Sequence, residues 1–157
     1  MKKSLRCICA ALFMLAFCTG FVIHASAVER ASLYLTRYSA TVSASNNGAI
    51  EMSIFVVANK SVSELGASYI LLEESDDGGK TWSTAREYEG QSWMTAENRS
   101  TYSRTLSYPG TIGHQYRVTA EVFAKDANGG DSRTTPTSSV VTAKTSVSAT
   151  AQSTAHT

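Results

Sequence analysis

Cysteine is confined to the start of this 157-residue chain: Cys7, Cys9 and Cys18 are its only three. Beyond them a thiol nucleophile, a disulfide framework and a Cys-based zinc site are excluded. Histidine is nearly as scarce, with only His114 and His156 beyond residue 24. A Ser-His-Asp triad would have to use His114, which follows Gly113 at a strand start, and no Gly-x-Ser-x-Gly elbow exists. Charge of one sign is not in excess: 14 Lys and Arg face 13 Asp and Glu, a formal net of +1. Nothing there suggests nucleic acid as a partner. Internal repeats and long helical periods are also missing.

What is present begins with a three-part leader. Lys2, Lys3 and Arg6 precede a mostly apolar run from Cys7 to Ile23, and Ala25-Ser26-Ala27 puts small residues where a signal peptidase reads them. The expectation is a secretory signal over residues 1–27, cleaved after Ala27, with a secreted product starting at Val28 and no stable membrane insertion afterwards. A retained membrane helix fits less well, because the run is short and holds Thr19 and Gly20. A lipoprotein start at Cys18 would place bulky Phe17 where a small residue belongs.

The remaining chain alternates. Tyr38, Ala40, Val42 and Ala44 form one period-2 run, and Ile50, Met52, Ile54 and Val56 form another. Each offers one apolar face of a strand. Asn46-Asn47-Gly48 between them supplies the backbone angles of a tight hairpin turn. Residues 61–66 read as a loop or one helical turn. Further strands are expected over 67–74, 81–88, 99–108, 114–124 and 132–143, with an irregular segment at 89–98. The expected fold is all-β, an antiparallel immunoglobulin/fibronectin-like β-sandwich of seven or eight strands spanning residues 28–144. Residues 145–157, mostly Ser, Thr and Ala, read as a disordered tail.

Three resemblances add to this. Ser75-Asp76-Asp77-Gly78-Gly79-Lys80-Thr81-Trp82 resembles the Asp-box pattern Ser-x-Asp-x-Gly-x-Thr-Trp. It implies a hairpin turn in which Asp77 accepts backbone hydrogen bonds, Gly79 takes an angle that suits glycine, and Trp82 packs beneath the turn, with Ser75 opening the motif. One copy implies a turn and no glycoside hydrolysis. Leu106, Pro109-Gly110, Tyr116, Val118, Ala120 and Gly129-Gly130 resemble the closing strands of a fibronectin type III domain, which implies that the Tyr116 hydroxyl bonds nearby backbone. Tyr34 to Ala44, Leu65-Gly66-Ala67 and Gly129-Gly130-Asp131-Ser132-Arg133-Thr134 resemble a family of small uncharacterised secreted proteins of Gram-positive bacteria. That resemblance implies export and one small β domain, and brings no catalytic residues.

Two candidate chemistries remain. Glu87 and Glu89 can share a strand face, which makes an extracellular glycan-acting hydrolase using carboxylates the alternative function. Asp126 to Asp131 is closer to a hairpin turn than to a calcium loop, since it lacks the terminal bidentate Glu and flanking helices. No cofactor or metal is called for. Tyr88, Trp93, Met94 and Tyr102 cluster around the irregular segment and are the weak binding candidates, for an extracellular protein or glycan. The competing expectation is that they plug an open end of the sandwich. The favoured reading is a secreted, non-catalytic binding or interaction module.

Overall fold

The computed structural model describes residues 33–145. The expected signal, residues 1–27, and all but Thr145 of the expected tail lie outside the described residues. Seven strands make up the fold: β1 Leu35–Ala44, β2 Ala49–Ser75, β3 Ser83–Glu89, β4 Thr95–Pro109, β5 Gln115–Asp126, β6 Gly129–Thr134 and β7 Val141–Thr142. Single 3-10 turns, Asn46–Gly48 and Ser92–Met94, are the only helical pieces among the described residues. Every pairing is antiparallel. The architecture is the all-β, antiparallel sandwich that the alternation implied.

Its organising element departs from expectation. Residues 61–66 are not a loop; they belong to β2, which runs for 27 residues. Val62 and Leu65 there are buried and Ser61 and Ser63 exposed, so the alternation that holds up to Val62 shifts by one residue before Leu65. The first half of β2 pairs with β1 on one side and the later part of β4 on the other. Its second half pairs with β5 on one side and β3 on the other. The strand therefore passes from one layer of the sandwich into the other. Register shifts between Val57 and Val62 and between Ala67 and Tyr69 bracket the crossing. Bulges of this kind bend a strand and increase its twist.

Because β3 and β4 both lie antiparallel to β2 on the same side, they run end to end along it. Only residues 90–94 interrupt them, so the irregular segment is shorter than the expected 89–98. The expected last strand over 132–143 is also divided, with β6 ending at Thr134 and β7 reduced to Val141–Thr142. Pro136 stands in the gap, where it has no N–H to give a ladder. There Thr135 and Ser138 hydroxyls accept the backbone N–H groups of Ala120 and Val118 instead.

Apolar residues at period 2 meet between the layers. Ile50, Met52, Ile54 and Val56 from the first half of β2 are fully buried, as are Ile70 and Leu72 from its second half and Val118 and Val122 of β5. Burying each of these is worth ~1.5–3 kcal/mol. Tyr116 is the largest fully buried side chain. Its hydroxyl accepts from Thr111 N–H at 2.8 Å and donates to Glu74 at 3.0 Å, and its ring lies 6.1 Å from that of Tyr108 in the other layer.

Gly66 makes the crossing possible. A Cβ there would overlap the Met94 carbonyl oxygen and stand 2.9 Å from Thr95 Cα, so only glycine lets the 90–94 break close against β2. Gly66→Ala is expected to destabilise the domain by ~3 kcal/mol, the upper range for forced overpacking. Urea unfolding checks this, and a midpoint equal to the parent's would contradict the close approach.

Candidate functional site

The site lies along the side of the sandwich where β3 and β4 are edge strands. Residues directly opposite in an antiparallel pair share a face. Tyr88 stands opposite Ile70 and Arg86 opposite Leu72, so both face the interior at the edge of one layer. On the other layer Tyr102 stands opposite Val56 and Arg104 opposite Ile54. Trp93 comes from the 3-10 turn between β3 and β4.

These side chains close the opening as a stack. The Tyr88 and Trp93 rings meet edge to face, with centroids 5.5 Å apart. The Arg86 guanidinium lies over Tyr88 at 5.4 Å, and that of Arg104 over Trp93 at 5.3 Å. Such contacts are worth about 0.5–1 kcal/mol each at exposed sites. Beneath them Met94 is 1% exposed and Tyr102 6%, and the Tyr102 hydroxyl donates to the Trp93 carbonyl at 3.1 Å. The four aromatic-cluster candidates thus divide. Met94 and Tyr102 belong to the core, while Tyr88 and Trp93 are half-buried and reach solvent. Neither Arg86 nor Arg104 pairs with a carboxylate among the described residues.

An open groove of about 500 Å³ borders the stack, lined by Tyr69, Arg86, Glu87, Tyr88, Glu89, Gln91 and Trp93. Glu87 and Glu89 stand opposite Leu71 and Tyr69 on the outer face of the layer. Glu87 accepts the Tyr69 hydroxyl at 2.8 Å, and that bond, with burial, pushes the phenol above its ordinary pKa. The two carboxylates are alternate residues of one strand and point the same way. Glycoside hydrolysis needs carboxyls flanking a bond, one on either side of it.

The 75–82 turn lies at the other end of β3. Asp77 accepts the N–H groups of Lys80 and Thr81 at 2.9 and 3.0 Å, the Thr81 hydroxyl at 2.7 Å and the Ser75 hydroxyl at 2.8 Å. Gly79, at φ 87°, donates its N–H to Ser75, and its carbonyl accepts from Trp82 Nε1. Arg117 covers the Trp82 ring at 4.1 Å while holding Glu73 with two bonds of 2.7 and 2.9 Å. Every one of these groups is spent on the turn.

Two other candidates resolve into structure. His114 Nδ1 is buried, lies 3.7 Å from Glu74 and bonds to no hydroxyl among the described residues. It borders a cavity of about 130 Å³ with Glu74, Ser75, Asp76 and Trp82. Asp126 has both oxygens engaged, by Lys60 at 2.7 Å, the Tyr34 hydroxyl at 3.0 Å and Asn128 N–H at 2.8 Å. Among the described residues no group of three or more His, Cys, Asp or Glu is placed to hold a metal, and no helix is long and apolar enough to cross a membrane.

Sequence reasoning missed Arg86, Arg104 and Tyr69. The signal was available: Arg86 and Tyr88, like Tyr102 and Arg104, are two apart on a strand and so share a face.

No family model matches this chain, and no curated protein does. Among solved structures the chain is similar to the twitchin kinase region from C. elegans, at 11% identity and TM-score 0.32. The match covers 71% of this chain and 17% of that one.

Asp77 gives a pH prediction. The Thr81 N–H, then the Thr81 and Ser75 hydroxyls, hold its carboxyl well below the ordinary range. An unfolded Asp titrates near ~3.9, so the folded state binds fewer protons there. Asp77 therefore contributes stability above about pH 4 that is lost as pH falls towards its folded value. Melting temperature measured from pH 7 to 2 should fall more steeply for the parent than for Asp77→Asn. Parallel curves would contradict the assignment.

The division of the aromatic set is also testable. Met94→Ala should cost about 3 kcal/mol, and Trp93→Ala about 2 kcal/mol, less than the ~3–5 of a fully buried ring. Urea unfolding of both variants decides it, and a larger cost at Trp93 would place that ring in the core.

Proposed function

We propose that this protein is a secreted, non-catalytic binding module that engages an extracellular protein or glycan along the β3–β4 side. The single observation that supports this most is the Arg86–Tyr88–Trp93–Arg104 stack. Tyr, Trp and Arg are the residue types that dominate interface energetics, and here Arg86, Tyr88 and Trp93 line an open groove. Export rests on the leader at residues 1–27. The Asp77 turn, His114 and Asp126 serve as structural features in this reading.

The carboxylate hydrolase is the second reading, because Glu87 and Glu89 line the same groove. One experiment separates the two. Purified protein is applied to immobilised extracellular material from the culture of origin, and released reducing ends are measured alongside retention. A binding module is retained, releases no sugar, and loses at least tenfold in affinity with Trp93→Ser, in line with a hot-spot loss of ≥ ~2 kcal/mol. Thr105→Glu, on the outer face of the other layer, leaves retention unchanged. Sugar release abolished by Glu87→Gln would establish the hydrolase instead, and retention indifferent to Trp93→Ser would remove the groove from the function.

A further inference from the structure

One edge of the sandwich lacks the devices that keep sheet edges apart. β1 pairs with β2 alone and stands at the end of the strand order. Over residues 38–44 it holds no charge, no proline, no glycine and no bulge. The other edges are guarded. β3 carries Arg86, Glu87 and Glu89. β4 carries Glu97, Arg99 and Arg104, ends at Pro109 and departs from extended backbone at Asn98, φ 52°. β6 carries Gly129, Gly130, Asp131 and Arg133, and β7 is two residues long. Charges, proline, irregular backbone and short length are what natural sheets use to block edge-to-edge pairing. Among the described residues only β1 is without them.

We infer that the free edge of β1 is a dimer interface whose occupant is β1 of a second copy, antiparallel to the first about a two-fold axis at Ala40. The faces of the strand allow this pairing. Inward residues must stand opposite inward residues, because a one-residue slip turns every side chain to the other face. β1 sets Tyr38, Ala40 and Val42 on the inner face, opposite Val56, Ile54 and Met52, and Arg37, Ser39, Thr41 and Ser43 on the outer one. With the axis at Ala40, that residue meets the partner's Ala40, and half-buried Tyr38 meets the partner's Val42.

Charge selects this register among those the faces permit. In it Arg37 stands opposite the partner's Ser43, and Ser43 stands opposite Glu51 within each copy. Residues directly opposite lie ~4.5–5.5 Å apart, so two such steps, with only a serine between, separate Arg37 from the partner's Glu51. An arginine and a glutamate together reach across that gap, and the two-fold makes the contact twice. Neither Arg37 nor Glu51 has an ion-pair partner among the described residues. An axis at Ser39 sets Arg37 opposite the partner's Thr41, whose neighbour is Ser53, and the complement is lost. An axis at Thr41 carries Arg37 past the end of the partner strand.

β3 and β4 lie across β2 from β1, so the groove stays open in both copies. Edge pairing buries less than the about 1,600 Å² of a standard stable interface, and self-association is expected at micromolar concentration.

Sedimentation velocity of the protein without its leader, loaded from about 5 to about 500 µM, tests this. The parent should pass from monomer to dimer. Ser39→Lys with Thr41→Lys, which sets cations against cations across the seam, should stay monomeric with an unchanged melting temperature. The same change on β4, Thr101→Lys with Ser103→Lys, should leave dimerisation intact. Glu51→Lys should weaken it about threefold or more, and Arg37→Glu with Glu51→Lys should restore it.

A parent that stays monomeric throughout overturns the inference. If deleting residues 146–157 then produces a dimer, the edge belongs to that segment of the same chain. Dimerisation lost with the β4 pair and kept with the β1 pair moves the seam to β4 and also overturns it. A charge swap that fails to restore dimerisation removes the axis from Ala40.

Discussion

Hydrogen bonding along both sides of one 27-residue strand is the constraint on which the rest of this structure depends. β2 takes β1 and then β5 on one side and β4 and β3 on the other. From Val62 to Gly66 the ladder with β4, joined by β5 from Glu64, satisfies backbone groups through the crossing between layers, where a loop would have to find other partners. Bulges permit the bend, and Gly66 lets the 90–94 break seat against it. The sandwich is thus one ladder folded on itself, with its apolar stripe turned inward on both halves.

The candidate site is a consequence of that arrangement. Two strands laid end to end along β2 must diverge where β2 passes between layers, and the divergence leaves an opening. Core residues Met94 and Tyr102 fill its floor, and the Tyr88–Trp93 pair with its two arginines forms the rim. Side chains there have a double duty. Their apolar bodies shield the core, while the guanidinium edges and ring margins remain in contact with water. A surface built in this way is ordered before any ligand arrives, which reduces the entropy cost of binding.

Much of the fold was legible because period 2 is a local property. The runs Tyr38 to Ala44 and Ile50 to Val56 lie within strands with the alternation read from the sequence, and Asn47 and Gly48 take the positive φ angles of a tight turn. Residues 61–66 were misread because Ser, Glu and Gly carry loop signals, whereas partners on both sides override that propensity. The break at 135–140 was hidden for the opposite reason: Thr and Val suggested a strand, but the Thr135 and Ser138 hydroxyls take the β5 N–H groups while only their own N–H groups bond back to β5 carbonyls. At the site, the aromatic residues were visible by size. Their division into core and rim depended on which strand stood opposite each, a non-local fact that one sequence does not carry. Arg86 and Arg104 were passed over because an exposed arginine on a strand is ordinarily solvated, and only the neighbouring ring gives it a role.

Native-state hydrogen exchange of β2 tests the central claim most directly. If the strand is continuous, the ladder-bonded amides between Val62 and Gly66 exchange only through global unfolding, with the same opening free energy as those in Ile50–Val56 and Ile70–Leu72. Fast exchange at 62–66, with protection on either side, would instead describe two separate strands joined by a hinge. The groove between β3 and β4 would then have no fixed geometry, and the account given of the site would fail with it.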